Sequence, residues 1–184
     1  EPGTGKTMLA RAIPSLPPPM SIDEQITVTK IHSLNSNNTS IISHRPFRTP
    51  HHSSTRTAII GGTNQLLPGE ISLAHKGVLY LDELPEFNRN TIESLRQPLE
   101  DRHITLARGR DHATYPSDFM LVATMNPCPC GHLGSSKNPC SCTPAQISNY
   151  QKKLSGPLMD RIDMSIEMTA QDNSVLLKNT TIST

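Results

Sequence analysis

The run Glu1-Pro2-Gly3-Thr4-Gly5-Lys6-Thr7 matches the last seven positions of the pattern G-x-x-x-x-G-K-[ST], whose leading Gly falls one place before Glu1. Such a loop joins a strand to a helix, so it constrains the fold more than any other part of the sequence. Gly3 and Gly5 admit backbone angles closed to other residues, which lets successive N–H groups point at phosphate oxygens, with Thr4 between them. Lys6 supplies a point charge for outer phosphates, and the Thr7 hydroxyl suits a Mg2+ ligand. Met8 to Ile13 are good helix formers, which places a helix N-terminus against the anion. A chance G-T-G-K-T in a turn is the competing reading, and the order of the following elements decides against it.

That order is strand, helix, strand, helix. Gly77-Val78-Leu79-Tyr80-Leu81 and Phe119-Met120-Leu121-Val122-Ala123-Thr124 are continuous apolar runs, as buried parallel strands require. Between them, Asn88 to Glu100 reads as a helix with Ile92, Leu95 and Leu99 on one face. His103–Ala107 and His112–Tyr115 flank a Gly turn and read as a hairpin. Ser21 and Glu24 stand at capping-box spacing before a helix carrying Ile26, Thr29, Lys30 and Leu34. A strand starting at Ile41 is expected to run toward Arg48, and Ser53 to Ile60 to form a helix closed by Gly61-Gly62. Gly69 to Ala74 reads as a hairpin arm, Pro144 to Leu154 as a helix, and Ile162 to Met168 as a last strand. The fold expected is α/β, a parallel sheet flanked by helices.

In 184 residues, 34% hydrophobic with 16 prolines, we expect one domain with long loops and insertions, and a fragment of a longer chain. A net charge of +1 gives no global basic field, so only local patches can argue for nucleic acid. No apolar run approaches the ~20 residues that cross a bilayer. The expected location is the cytoplasm, with no membrane partner.

Asp82 and Glu83 end the first apolar strand, at the sheet edge where α/β proteins bind ligands. There Asp82 would serve the Mg2+ shell and Glu83 would deprotonate the attacking water. The plainer reading is a pair of acids starting the next helix. Asn126 ends the second strand, placed either to hydrogen-bond a γ-phosphate or lytic water, or to form a turn before Pro127. Arg161 precedes the last expected strand, as a surface cation or as a finger donated to a neighbour's nucleotide.

With these pieces in order, the chain resembles the AAA+ ATPases. More narrowly it resembles the magnesium-chelatase subunit I family and its ComM/YifB branch. The stretches Arg45–His52, Pro68–His75, Gly77–Phe87, Asn126–Gly131 and Ser155–Asp163 carry the likeness. The resemblance implies that Gly3, Gly5, Lys6 and Thr7 form Walker A, and that Asp82 and Glu83 form Walker B. It makes Asn126 sensor 1 and Arg161 the finger. It implies a P-loop AAA+ core over residues 1–170, ATP bound between subunits of a hexameric ring, and β-hairpin insertions near Gly61–Ala74 and His103–Tyr115 facing the pore. Residues 171–184 would then lead to a helical lid. The family's first strand, its lid and the branch's Lon-like domain have no counterpart in the sequence.

All four cysteines lie in one loop, as Cys128-x-Cys130 and Cys140-x-Cys142. In a cytosolic protein this pattern reads as a metal site, and thiolates favour a closed tetrahedral Zn2+ centre. Free thiols are the alternative, and His132 is a spare ligand candidate. Adjacent His51 and His52 point opposite ways in extended chain, so we expect a packing or pore-loop role.

Two activities fit such a motor. The resemblance to the ComM branch implies remodelling of single-stranded or branched DNA, helicase-like branch migration in natural transformation, in which Arg108 and Arg110 on the hairpin turn would either meet phosphates or form a solvated turn. In the chelatases the motor drives Mg2+ insertion into protoporphyrin. The cysteine loop and the Pro46–His52 segment look like the ComM branch, so DNA is the expected partner. Intact Lys6, Asp82, Glu83 and Arg161 argue against a nonenzymatic assembly protein.

Overall fold

A computed structural model describes residues 5–36, 40–63, 65–135, 138–154 and 156–168. The expectations for Gly3, Thr4 and the 171–184 tail fall outside the described residues. Helix α1 (Lys6–Ala12) starts directly after Gly5, whose φ of 80° only glycine adopts freely. It tightens into a 3-10 turn before the proline run. Helix α2 (Ile22–Ser33) opens on the expected capping box: Ser21 Oγ accepts from the Glu24 N–H and Glu24 Oε2 from the Ser21 N–H.

Strand β1 is only Phe47–Arg48. The strand expected from Ile41 starts later, because Ile41 is exposed and the next strand's Val78 N–H is bonded to the Pro46 carbonyl. Helix α3 (Arg56–Ile60) is capped by Thr55 and closed by Gly61. The supposed hairpin arm at 69–74 is instead a helical turn, α4 (Glu70–Leu73). Ile71, Ser72, Leu73 and Ala74 are all buried, in a helical turn packed on α2 and α3. Of the expected hairpin there, one antiparallel bridge, Gly61 to Pro68, is present.

Strand β2 (Val78–Leu81) is buried on both faces. The helix expected over 88–100 is broken into α5 (Arg89–Glu93) and α6 (Arg96–Asp101). Pro98 has no N–H for the Ser94 carbonyl, so one continuous ladder cannot form. Strands β3 (His103–Arg108) and β4 (Asp111–Pro116) make the expected hairpin around Gly109-Arg110, with Gly109 at φ 58°. Strand β5 (Met120–Ala123) follows, then α7 (Pro144–Gln151) and α8 (Gly156–Met159). The strand expected over 162–168 does not form; its residues pair with no strand among those described, and Met164 and Ile166 are exposed.

The sheet order is β1-β2-β5, all parallel. Alternation along β2 sorts the core into two faces. Leu79 and Leu81 pack with Ile59, Ile71, Ile92, Leu95, Ile104, Leu106 and Leu158, while Val78 and Tyr80 pack with Ala10 of α1. Tyr80 therefore faces the helix that carries Lys6 and Thr7.

Candidate nucleotide site

The carboxyl ends of β2 and β5 lie side by side, because Leu81 pairs in parallel with Ala123. One residue further on, Thr124 Oγ1 donates to Asp82 Oδ1 at 2.5 Å and accepts from the Glu83 N–H at 3.1 Å. The Leu84 N–H bonds to the Thr124 carbonyl at 2.8 Å. This web holds Glu83 in the left-handed region, φ 55° and ψ 55°, where a side-chain-bearing residue costs on the order of 1–3 kcal/mol.

Held so, Glu83 Oε1 accepts from Asn126 Nδ2 at 3.1 Å. Asn126 Oδ1 in turn accepts from Lys6 Nζ at 2.8 Å, and the Met125 carbonyl lies 3.2 Å from the same ammonium. The neighbours leave no ambiguity about the amide: its oxygen must face the donor-only Lys and its nitrogen the carboxylate. A second link runs through Tyr80. Its hydroxyl donates to Asp82 Oδ1 at 2.8 Å and lies 3.3 Å from Thr7 Oγ1. Burial pushes the Tyr80 pKa up, so the phenol stays a proton donor.

Lys6, Thr7, Asp82, Glu83 and Asn126 thus meet at one rim, where Gly5 turns the chain into α1. Arg161 does not join them. Among the described residues its side-chain partners are Glu100, at the end of α6, and the Pro157 carbonyl. Sequence reasoning missed Tyr80 and Thr124. The signal for Tyr80 was available, since strand residues two apart share a face and Tyr80 stands two before Asp82.

The four cysteines form a second centre. Their sulfurs lie within 4.8 Å of one another, with three separations of 3.4, 3.6 and 3.7 Å. A tetrahedral Zn–S bond of about 2.3 Å puts sulfurs about 3.8 Å apart, so the quartet needs little adjustment to hold that ion. Cys128 is buried, and its sulfur accepts from the Leu133 N–H at 3.3 Å. Backbone N–H groups near His132 and Ser141 draw the Cys130 pKa down to about 5. Cys140, although the Cys142 backbone lowers it, is raised to about 12 by lost hydration and its thiol neighbours. Among the described residues this quartet is the one cluster of three or more Cys, His, Asp or Glu ligand atoms close enough to share a metal, and His132 is not part of it. His51 and His52 do not point apart: their rings are 4.1 Å apart, and His52 meets the edge of Phe87.

Residues 1–176 match the family described as magnesium chelatase, subunit ChlI. The chain is 48% identical over 177 residues to YifB of Salmonella typhimurium, an alignment covering 95% of this chain and 35% of that protein. It is 48% identical over 169 residues to the competence protein ComM of Haemophilus influenzae, covering 91% of this chain and 33% of ComM. A shorter match, 30% over 69 residues, reaches the magnesium-chelatase 67 kDa subunit of Chlorobaculum parvum, covering 38% of this chain and 11% of that one. The chain therefore spans about a third of the length of YifB and ComM. In fold it is similar to NtrX from Brucella abortus, solved in complex with ATP, with a TM-score of 0.50 and 18% identity over 86% of this chain and 29% of NtrX. The expected α/β core with its parallel sheet is thus the one observed.

Proposed function

The chain belongs to the magnesium chelatase subunit ChlI family, and from that membership we propose that residues 1–170 are the nucleotide-binding core of an ATP-hydrolysing AAA+ motor. The observation that carries this reading is the Lys6–Asn126–Glu83 bridge beside the Thr7–Tyr80–Asp82 link. Backbone N–H groups of Gly3, Thr4 and Gly5 would bind phosphate oxygens. Lys6, whose partners among the described residues are two neutral carbonyl oxygens, would exchange them for the outer phosphates. Thr7 and Asp82 would hold Mg2+, which when bound neutralises phosphate charge. Glu83 is the base that takes the proton of the attacking water, and Asn126 aligns that water. Arg161 serves the nucleotide of an adjacent subunit, in a hexameric ring in the cytoplasm.

The work of the motor, in this reading, is on single-stranded or branched DNA. Support comes from the long match to ComM, a competence protein, and from Arg108 and Arg110 at the hairpin turn. The alternative is a chelatase motor driving Mg2+ insertion into protoporphyrin, supported by the family match and by the shorter match to a chelatase subunit. The Cys quartet would hold a structural Zn2+.

The test is the ATPase rate of the full-length protein, alone, with single-stranded DNA and with branched DNA. Stimulation by branched DNA supports the proposal. Hydrolysis indifferent to both DNAs but raised by chelatase partner subunits with protoporphyrin would transfer it to the alternative.

A further inference from the structure

The cysteine quartet begins two residues beyond Asn126, the group that bridges Lys6 and Glu83. We propose that a metal ion held by Cys128, Cys130, Cys140 and Cys142 positions Asn126, by clamping the carboxyl end of β5 to the start of α7. The inference rests on the ATPase reading of the rim and adds a control point to it.

Three observations carry it. First, the link is short and stiff: Asn126 and Cys128 are separated only by Pro127, whose ring fixes φ. Cys128 is fully buried, so packing holds its side chain in place next to Pro127. Second, the clamp spans both ends of the loop. Cys128 and Cys130 follow β5, while Cys142 immediately precedes Thr143, which caps α7 through a capping box. Helix α7 reaches back to the same place, where Gln151 Nε2 donates to the Pro127 carbonyl at 3.4 Å and Tyr150 is buried. Third, the described part of the loop has little apolar burial of its own. Between 128 and 142, only Cys128 and Gly131 are buried among the described residues, and Pro129 and Pro139 offer no N–H. A loop without an apolar core keeps one shape when a metal closes it.

The experiment uses the full-length protein and Zn2+ as the probe. Wild type should carry about one zinc per chain, and Cys140→Ser should lose it. Zinc-free protein, made by that variant or by a zinc-selective chelator followed by excess Mg2+, should bind ATP within about threefold of wild type. Its single-turnover hydrolysis should fall ~10-fold or more, the scale on which supporting shells act. Asn126→Ala should show the same hydrolytic loss with zinc retained. The double variant should be no slower than Asn126→Ala alone, because the cysteines act through that amide. A purely structural cluster would instead lower stability and give an additive double variant. Absence of zinc from wild type, full hydrolysis without zinc, or additivity would each overturn the proposal. If wild type hydrolysed no ATP, the functional reading would fail first. The clamp would then be read by hydrogen exchange over residues 124–128, which zinc removal must accelerate; unchanged exchange overturns it.

Discussion

Lys6 and Asn126, 120 positions apart in the chain, are joined by a 2.8 Å hydrogen bond between ammonium and amide oxygen. That contact places the start of α1 against the end of β5. It also puts the Lys charge one amide away from the Glu83 carboxylate, which the other half of the same amide holds at 3.1 Å. An ammonium whose partners among the described residues are neutral oxygens is ready to trade them for phosphate.

Glu83→Gln should leave ATP binding intact and lower turnover ~10²-fold or more, since the amide keeps the shape and hydrogen bond but cannot accept a proton. Equilibrium binding of a fluorescent nucleotide, paired with steady-state phosphate release, separates the two. Unaltered turnover would remove Glu83 as the base.

Tyr80→Phe should act through Mg2+ rather than through chemistry. Losing the hydroxyl removes the bridge between Thr7 and Asp82 while Thr124 still holds the carboxylate. At ~1 kcal/mol for one hydrogen bond, the half-saturating Mg2+ concentration should rise about fivefold. Turnover at saturating Mg2+ should stay within about twofold. A magnesium titration of the ATPase checks this, and an unmoved midpoint would show the bridge to be idle.

Arg161→Ala should cost ~10³-fold or more in hydrolysis if the guanidinium acts on a neighbour's nucleotide. In mixed rings, subunits that keep Arg161 but carry Lys6→Ala should restore turnover at the intact sites. Failure of that complementation would argue that Arg161, which meets Glu100 and the Pro157 carbonyl in its own chain, has a local role only.

Gly77→Ala should destabilise the fold by ~1–3 kcal/mol or more, because a Cβ there would stand 2.0 Å from the Pro46 carbonyl oxygen and force β1 from β2. Gly109→Ala is the control: nothing lies within 4 Å of its Cβ, so only the positive φ is penalised. Thermal melts of the two variants should rank Gly77→Ala well below Gly109→Ala; equal melts would mean that β1 gives way freely.

Much of the architecture was readable before any coordinates. The runs at 77–81 and 119–124 stated themselves as buried parallel strands, and the β3–β4 hairpin was marked by its turn. The capping box at Ser21 and Glu24 was legible because its partners are three residues apart. The failures lay where distant partners decide. Residues 69–74 became a helical turn packed against α2 and α3, which buries Ile71 to Ala74. Residues 162–168, although alternating, found no strand to pair with among the described residues.

The sequence by itself determined the chemical inventory: a G-T-G-K-T run before a helix, an acid pair at a strand end, an amide at the next strand end and four thiols in one loop. These are local patterns, carried by neighbours in the chain. Only the tertiary structure decided that Lys6, Glu83 and Asn126 share one amide, that Tyr80 spans Thr7 and Asp82, and that the thiols converge. Parallel pairing in fixed register aligns the ends of β2 and β5, and packing α1 on one sheet face delivers the loop to them. Such distances depend on how whole elements pack, and no local pattern encodes them.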